Sequence, residues 1–168
     1  LKNENRRGIT KEDVEAIKQM QKDGFHFVVT TGRFSKTVFE DLKEYGLACD
    51  LITSGGSAIY IDGKLEYIQK IDLGVVEKVF EDVIDINKSI YFRFADEVHQ
   101  KVMAFKNLKN HLKEEDIKIY RNYFKDENIT PNKISISTNT AFELNEIKKV
   151  LLEKYHDYFL IEESMPTN

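Results

Sequence analysis

Apolar residues in the first part of the chain recur at the spacing of an α-helix. Val14, Ile17 and Met20 follow one another at intervals of three residues, which places them on one face of a helix. Thr10 precedes this stretch and is a good N-cap residue, while Gly24 follows it and is typical of a helix end. The pattern predicts an amphipathic helix between Thr10 and Gly24.

A run of β-branched and aromatic residues follows the first helix. Residues 25–30 read FHFVVT and predict a short buried strand. Ser35 is expected to cap a second helix that ends at Gly46, and residues 51–53 predict the next strand. The order helix, strand, helix, strand favours a parallel sheet with right-handed crossovers.

The rest of the chain combines hairpins with helices. Asp-Gly-Lys at residues 62–64 separates two short apolar runs and predicts a β-hairpin. Helices are expected at 75–86 and 141–155, and a charged helical region is expected after residue 105 through about residue 124. Strands are expected at 89–94, 98–105, 133–137 and 158–161. Strands paired by hairpins and backed by helices favour a second, α+β domain.

Composition narrows the class of protein. Hydrophobic residues make up 41% of the 168 residues and charged residues 32%, which is typical of a globular fold. No stretch approaches the roughly 18–20 consecutive apolar residues of a membrane helix, so we expect no membrane partner. A net charge of −4 argues against nucleic acid as the main partner. Cys49 is the only cysteine, which excludes an internal disulfide and favours a cytoplasmic location.

Thr31, Gly32 and Arg33 stand where the first predicted strand ends. In open parallel sheets, ligands bind beyond the carboxyl ends of the strands. A threonine hydroxyl donates to phosphoryl oxygens, a glycine lets a ligand approach the backbone N–H, and a guanidinium matches a phosphate or carboxylate. The positive end of the helix that starts near Ser35 would point at the same place. These residues predict a phosphate site, with an ordinary strand-to-helix turn as the alternative.

A second glycine-rich break supports the phosphate site. Residues 54–57 read SGGS and follow the second predicted strand. Because ligands bind at the carboxyl ends of parallel strands, we expect this loop to lie beside residues 31–33 at the same edge of the sheet.

Residues 8–68 carry a family resemblance. The stretches GITKEDVEAIKQMQKDGFHFVVTTGRFSKTVFEDL and LITSGGSAIYIDGKL resemble the Cof-type sugar-phosphatase branch of the haloacid dehalogenase-like (HAD-like) superfamily. The resemblance implies an α/β fold, with a partial Rossmann-like core at residues 1–67 and an inserted α+β cap domain at 68–168. It also implies a Mg²⁺-dependent phosphatase that acts on a small phosphorylated metabolite, such as a sugar phosphate, through an aspartyl-phosphate intermediate.

The resemblance assigns roles residue by residue. Thr31 matches the catalytic threonine whose hydroxyl holds the transferring phosphoryl group, and Gly32 supplies the backbone N–H that follows it. Arg33 matches an arginine that faces the cleft between core and cap. Gly55 and Gly56 fall where many relatives have Asn-Gly, so we expect them beside the substrate without an asparagine contact.

The family's nucleophile motif does not occur in this sequence. That motif is Asp-x-Asp-Gly-Thr, in which the first aspartate attacks phosphorus, and Leu1 falls just where it would have ended. The lysine and the acidic Mg²⁺ ligands of the family would lie after Asn168. We therefore expect the chain to be the middle of a longer phosphatase, with its Mg²⁺ ligands outside these residues and no activity of its own.

Arg93 is a further candidate for substrate binding, because a cap domain must offer some side chains to the substrate. Two functions stay open. The first is the phosphatase just described, and the second is a truncated, non-catalytic relative that binds a ligand or partner through its cap. Neither the substrate nor the oligomeric state follows from the sequence.

Overall fold

A computed structural model of the protein describes residues 9–86, 89–106 and 114–163. These residues form an α/β fold that divides into two compact units. The first unit contains the chain up to Lys70 together with Ala95–Lys101, and the second contains Ile71–Phe94 and the chain from Val102 onward. The assignment of residues 1–67 to a core and 68–168 to a cap stays a prediction.

The first unit holds two helices and a four-stranded sheet. Its helices are α1 (Lys11–Lys22) and α2 (Ser35–Tyr45), and its strands are β1 (Val28–Thr30), β2 (Asp50–Thr53), β3 (Ala58–Ile61) and β4 (Lys64–Ile68). The strands lie in the order β1-β2-β3-β4, with β1 and β2 parallel and the other neighbouring pairs antiparallel. The predicted alternation of helix and strand, and the parallel pairing of the first two strands, are confirmed.

Local capping and turn signals explain where these elements begin and end. The Thr10 hydroxyl accepts a hydrogen bond from the Asp13 backbone N–H at 3.1 Å, which caps α1. Gly46 ends α2 with a φ of 63°. Asp62 and Gly63 have φ values of 49° and 75°, the left-handed conformation that a tight two-residue hairpin turn requires. The predicted hairpin is therefore confirmed.

Two expectations at the start of this unit are wrong. The first strand is shorter and more exposed than predicted, because Phe25 lies outside β1 and is 60% exposed, and Val28 is 50% exposed. Among the described strands β1 is hydrogen-bonded to β2 alone and stands at the edge of the sheet. Ser35 is not the N-cap of α2 but its first helical residue, following Phe34, and its buried hydroxyl points into the unit.

The apolar faces of α1 and α2 pack onto one side of the sheet. The Phe39 and Tyr60 rings meet edge to face with centroids 5.2 Å apart, which joins α2 to β3. The buried residues of this cluster are Val14, Ile17, Val38, Leu42, Leu47, Leu51, Ala58 and Tyr60. The helical periodicity seen in the sequence therefore marks core positions.

Residues Ala95–Lys101 join the first unit through the carboxylate of Glu97, which is 1% exposed. A buried carboxylate is destabilising unless hydrogen-bond donors replace the water it loses. The donors are the Ser35 backbone N–H and hydroxyl, the hydroxyls of Thr53, Ser54 and Tyr60, and the Gln100 side-chain amide. This cluster, which we call the Glu97 network, is the polar counterpart of the apolar core.

The second unit packs helices on a three-stranded sheet. Its elements are α3 (Leu73–Ile86), β5 (Ile90–Asp96), β6 (Lys101–Lys106), α4 (Glu114–Arg121), a 3-10 helix (Asn122–Lys125), β7 (Lys133–Thr138) and α5 (Ala141–Tyr155), with the sheet in the order β6-β5-β7. The last two residues of β5, Ala95 and Asp96, and the first residue of β6, Lys101, belong to the first unit. Phe80 of α3 is fully buried at the centre of an aromatic cluster with Phe92, Phe105, Tyr120 and Phe124.

The strand expected at residues 158–161 is wrong. Among the described residues these form no strand: Tyr158 donates its N–H to the Tyr155 carbonyl in a turn, and the Phe159 ring stacks on Tyr155. The aromatic run is therefore used for local packing and not for a ladder. β5 also runs further than expected, to Asp96, so the turn lies at residues 97–100 and β6 begins at Lys101 instead of Val98. Residues 107–113, assigned to a charged helical region, lie outside the described residues.

Across the described residues, no helix combines the length and the apolar composition that crossing a membrane would require.

Removing the ring of Phe80, at the centre of the second unit, should lower its stability. We expect Phe80→Ala to lower the free energy of unfolding by about 3–5 kcal/mol, because the cavity forfeits contacts with four neighbouring rings. Urea titration followed by circular dichroism measures the change. Phe142→Ala, at a position on α5 that is 75% exposed, is the control and should change stability by less than about 0.5 kcal/mol. Equal effects of the two substitutions would contradict this packing.

Tyr60 provides a pH-dependent test of the Glu97 network. Burial raises the pKa of Tyr60 from 10.0 to about 12, and the nearby Glu97 carboxylate adds to the rise. Between pH 10 and pH 12 the unfolded chain releases this proton more readily than the folded chain, so the contribution to stability falls as pH rises. Below pH 10 we expect Tyr60→Phe to lower stability by about 1–3 kcal/mol.

The measurement is the difference in unfolding free energy between wild type and Tyr60→Phe across pH. It should be constant below pH 10 and shrink as the pH approaches 12. Tyr67→Phe, at an exposed position of β4, is the matched control. A difference that stays constant to pH 12 would show that the Tyr60 hydroxyl is not buried beside a carboxylate.

Candidate active site

The loops that follow β1 and β2 form one hydrogen-bonded structure. The Thr31 N–H donates to the Ile52 carbonyl at 2.9 Å, which continues the parallel pairing beyond β1. The Ser54 N–H donates to the Arg33 carbonyl at 2.9 Å, and the Gly55 N–H donates to the Thr31 carbonyl at 3.2 Å. The expected proximity of the two loops is therefore confirmed, and it arises from backbone contacts.

The side chain of Thr31 has a fixed orientation. Its Oγ1 accepts a hydrogen bond from the Arg33 backbone N–H at 3.1 Å, so the loop closes on its own first side chain. A hydroxyl that accepts through a lone pair keeps its hydrogen as a donor. Thr31 is half-buried and Gly32 is exposed, so a ligand can reach both residues. This arrangement suits the recognition of an oxyanion.

The guanidinium of Arg33 lies against its own helix. Its Nη1 donates to Asp41 Oδ2 at 2.6 Å and its Nη2 donates to the Thr37 carbonyl at 3.2 Å. Asp41 lies two turns along α2, and both partners of the ion pair are about 40% exposed. Two N–H groups of the five in a guanidinium are used in these bonds, so the charged group is oriented and still has donors to offer.

The SGGS loop owes its shape to left-handed backbone conformations. Ser54, Gly55 and Gly56 have φ values of 54°, 75° and 96°. Glycine adopts such angles without strain, whereas serine does so at a cost. Gly56 donates its N–H to the Thr53 carbonyl at 3.0 Å and the Ser57 hydroxyl donates to the Ser54 carbonyl at 3.1 Å, which closes the turn. Gly55 and Gly56 are exposed at the tip of the loop.

The amino terminus of α2 is not arranged as the sequence suggested. The Ser35 N–H, the first of the helix, donates to Glu97 Oε1 at 3.1 Å. An anion therefore already occupies this end of the helix, and it comes from the chain itself. Sequence reasoning missed Glu97, which stands in the segment ADEVHQ and resembles a solvent-exposed polar turn. All but one of the residues that donate to its carboxylate lie 37 to 62 positions away, which no local pattern reveals.

Arg93 belongs to the second unit. It lies in β5 with its side chain exposed, and its guanidinium is 5.6 Å from the centroid of the Tyr91 ring. This cation–π contact orients the charge on the surface of the sheet. A role for Arg93 in substrate binding stays a prediction.

The described residues do not fit a metal site. Within residues 9–86, 89–106 and 114–163, no group of three or more His, Cys, Asp or Glu side chains could hold a metal ion. Magnesium prefers several oxygen ligands in near-octahedral geometry. The donors that Thr31 and Arg33 offer here are a hydroxyl and a guanidinium, which suit an anion.

Comparison with known proteins identifies the family. A sequence model of the haloacid dehalogenase-like hydrolases matches residues 1–168. A search of curated proteins gives no significant match. Solved structures give clear similarities in fold, three of which are informative.

A haloacid dehalogenase-like hydrolase from Bacteroides thetaiotaomicron aligns with a TM-score of 0.74 and 16% identity over 99% of this chain and 64% of its own. A haloacid dehalogenase-like hydrolase from B. subtilis aligns with a TM-score of 0.71 and 17% identity, over 92% of this chain and 64% of its own. The HAD subclass IIB sugar phosphatase BT4131 aligns with a TM-score of 0.52 and 18% identity, over 87% of this chain and 56% of its own. The present chain thus spans 56–64% of the length of these proteins.

The TM-scores above 0.7 show a shared fold, and at identities below 20% they show the fold alone. The family match over the whole chain adds the relationship in sequence. The α/β architecture expected from the sequence agrees with both. The chain therefore belongs to the haloacid dehalogenase-like hydrolases.

Proposed function

We propose that the protein is a Mg²⁺-dependent phosphatase of small phosphorylated metabolites, such as sugar phosphates, in which Thr31 and Gly32 hold the transferring phosphoryl group. The observation that carries this proposal is the orientation of the Thr31 hydroxyl, whose oxygen accepts from the Arg33 N–H and whose hydrogen is left to donate. Family membership and the fold shared with a sugar phosphatase support it.

Hydrogen-bond donors at fixed positions are the contribution of this chain to phosphoryl transfer. Catalysis of this reaction depends mainly on positioning and on stabilising the charge of the phosphoryl oxygens. The backbone bonds between the two loops hold Thr31 in place before a ligand arrives. Gly55 and Gly56, exposed at the neighbouring loop, are proposed to border the substrate, and Arg93 is proposed as a further contact.

Arg33 is proposed to bind the substrate through its outward N–H groups. Asp41 and the Thr37 carbonyl hold the guanidinium from one side, so a substrate phosphate or hydroxyl would meet a pre-oriented donor. Fixing the side chain in advance reduces the entropy that binding would otherwise cost.

The Mg²⁺ dependence rests on family membership, since the described residues contain no group that fits the ion. When bound, the ion would supply positive charge against the phosphoryl oxygens. An aspartate nucleophile is likewise proposed from the family resemblance. The cytoplasmic location and the small-molecule partner belong to the same proposal.

Substitution of Thr31 tests the proposal in the complete gene product. With MgCl₂ present, wild type should hydrolyse para-nitrophenyl phosphate and a panel of sugar phosphates. We expect Thr31→Ala to lower kcat/KM by about 10²–10³-fold, because a preorganised donor is lost. Thr31→Ser keeps the hydroxyl and should retain most of the activity. Phosphate release measured by a colorimetric assay gives the rates.

An active wild type with an unchanged Thr31→Ala rate would refute the role of Thr31. A folded wild type that hydrolyses none of these esters would refute the proposed phosphatase activity and favour the alternative, a non-catalytic ligand-binding protein.

A further inference from the structure

We propose that Glu97 is a positioning residue of the phosphoryl site, whose buried carboxylate fixes the loops that carry Thr31 and the SGGS turn. The inference rests on the proposed function of Thr31 and Gly32. Glu97 would touch neither substrate nor metal, and would act through Ser54 and Ser35.

The two oxygens of the carboxylate reach different elements. Oε1 accepts from the Ser35 N–H at 3.1 Å, the Thr53 hydroxyl at 3.1 Å and the Ser54 hydroxyl at 2.6 Å. These three residues stand at the beginning of α2, at the end of β2 and in the loop after it. A single oxygen atom therefore joins both loops of the site.

The second oxygen of the carboxylate binds two further hydroxyl groups. Oε2 accepts from the Tyr60 hydroxyl at 3.0 Å and from the Ser35 hydroxyl. The Gln100 amide donates to the Tyr60 hydroxyl at 2.9 Å and to the Glu97 carbonyl at 2.7 Å, so the turn closes on itself around the glutamate. Glu97 is thus held in one orientation by partners that are themselves buried or half-buried.

One route from Glu97 to the site passes through Ser54. The left-handed φ of 54° at Ser54 is unfavourable for a serine and persists only where neighbouring groups hold it. The short bond from its hydroxyl to Glu97 supplies that restraint. In this conformation the Ser54 N–H meets the Arg33 carbonyl, and the adjacent Gly55 N–H meets the Thr31 carbonyl. Glu97 therefore sets the loop of Thr31 by way of two backbone bonds.

The other route passes through Ser35. This residue directly follows Phe34, and its N–H bond to Glu97 fixes where α2 starts. The segment from Thr31 to Phe34 is consequently restrained from both sides by groups that bind the same carboxylate. Because an error of about 1 Å in the position of a catalytic donor costs about 10²-fold in rate, this restraint bears directly on the proposed reaction.

The alternative is that Glu97 only stabilises the fold, and kinetics of folded protein separate the two cases. Glu97→Ala removes the acceptor from all its donors. Glu97→Gln keeps the shape and one oxygen, while its amide can donate to the hydroxyls of Ser35 and Tyr60, which can accept. Val14→Ala is the matched control, because it removes core packing of the same unit away from the network.

The experiment measures kcat and KM of the complete gene product toward para-nitrophenyl phosphate, at a temperature where circular dichroism shows each variant folded. Glu97→Ala should lower kcat at least about 10-fold with a smaller change in KM, Glu97→Gln should recover most of that loss, and Val14→Ala should keep the wild-type kcat. If Glu97→Ala does not fold, Ser54→Ala replaces it and should also lower kcat.

Wild-type kcat in folded Glu97→Ala, or in Ser54→Ala where Glu97→Ala does not fold, would overturn the positioning role while leaving the proposed function intact. An inactive wild type would overturn both, and the two failures are therefore distinguishable.

Discussion

Burial of one carboxylate is the constraint on which the first unit depends. Glu97 is removed from water, and a charge in that position is tolerated only when donors surround it. The donors come from the start of α2, the end of β2, the turn after β2 and strand β3, so satisfying the carboxylate obliges these elements to meet. Removing the acceptor would leave several buried donors without a partner at once, so the hydrogen bonds of the network form or break together.

The same constraint links the fold to the proposed function. The apolar faces of the helices determine that a sheet forms and which side of it is covered, but they leave the loops at the strand ends unspecified. Those loops are shaped by polar contacts: backbone bonds between residues 31–33 and 54–55, and the hydroxyl of Ser54 on Glu97. A site that recognises an oxyanion needs donors fixed in advance, and a dense hydrogen-bonded cluster next to the site provides that rigidity.

The sequence predicts local structure well where a local cause exists. Helix α5 occupies Ala141–Tyr155 as its pattern predicts, and a capping box between Thr140 and Glu143 explains its start. The Asp62-Gly63 turn likewise has a local cause, because both residue types adopt the positive φ angles that the turn requires. The meeting of the two glycine-bearing loops was predictable because it follows from parallel pairing of β1 with β2.

Features set by side-chain contacts that helical and strand patterns do not encode were not predicted. Ser35 was read as a cap because serine often serves as one, yet its hydroxyl is bonded to Tyr60 and Glu97. The aromatic run at 158–161 has strand-like composition, but local stacking on Tyr155 decides its conformation. The bond from Arg33 to Asp41 was not predicted from the sequence, and the expectation that Arg33 faces a cleft stays a prediction.

We propose that the Thr31 loop, held by Glu97, binds the transferring phosphoryl group. A crystal structure of the complete gene product with bound tungstate or vanadate tests it most directly. We expect an oxyanion oxygen about 2.7–3.2 Å from Thr31 Oγ1 and near the Gly32 N–H, with Glu97 still bonded to Ser35 and Ser54. An oxyanion bound elsewhere, with no contact to Thr31 or Gly32, would contradict it.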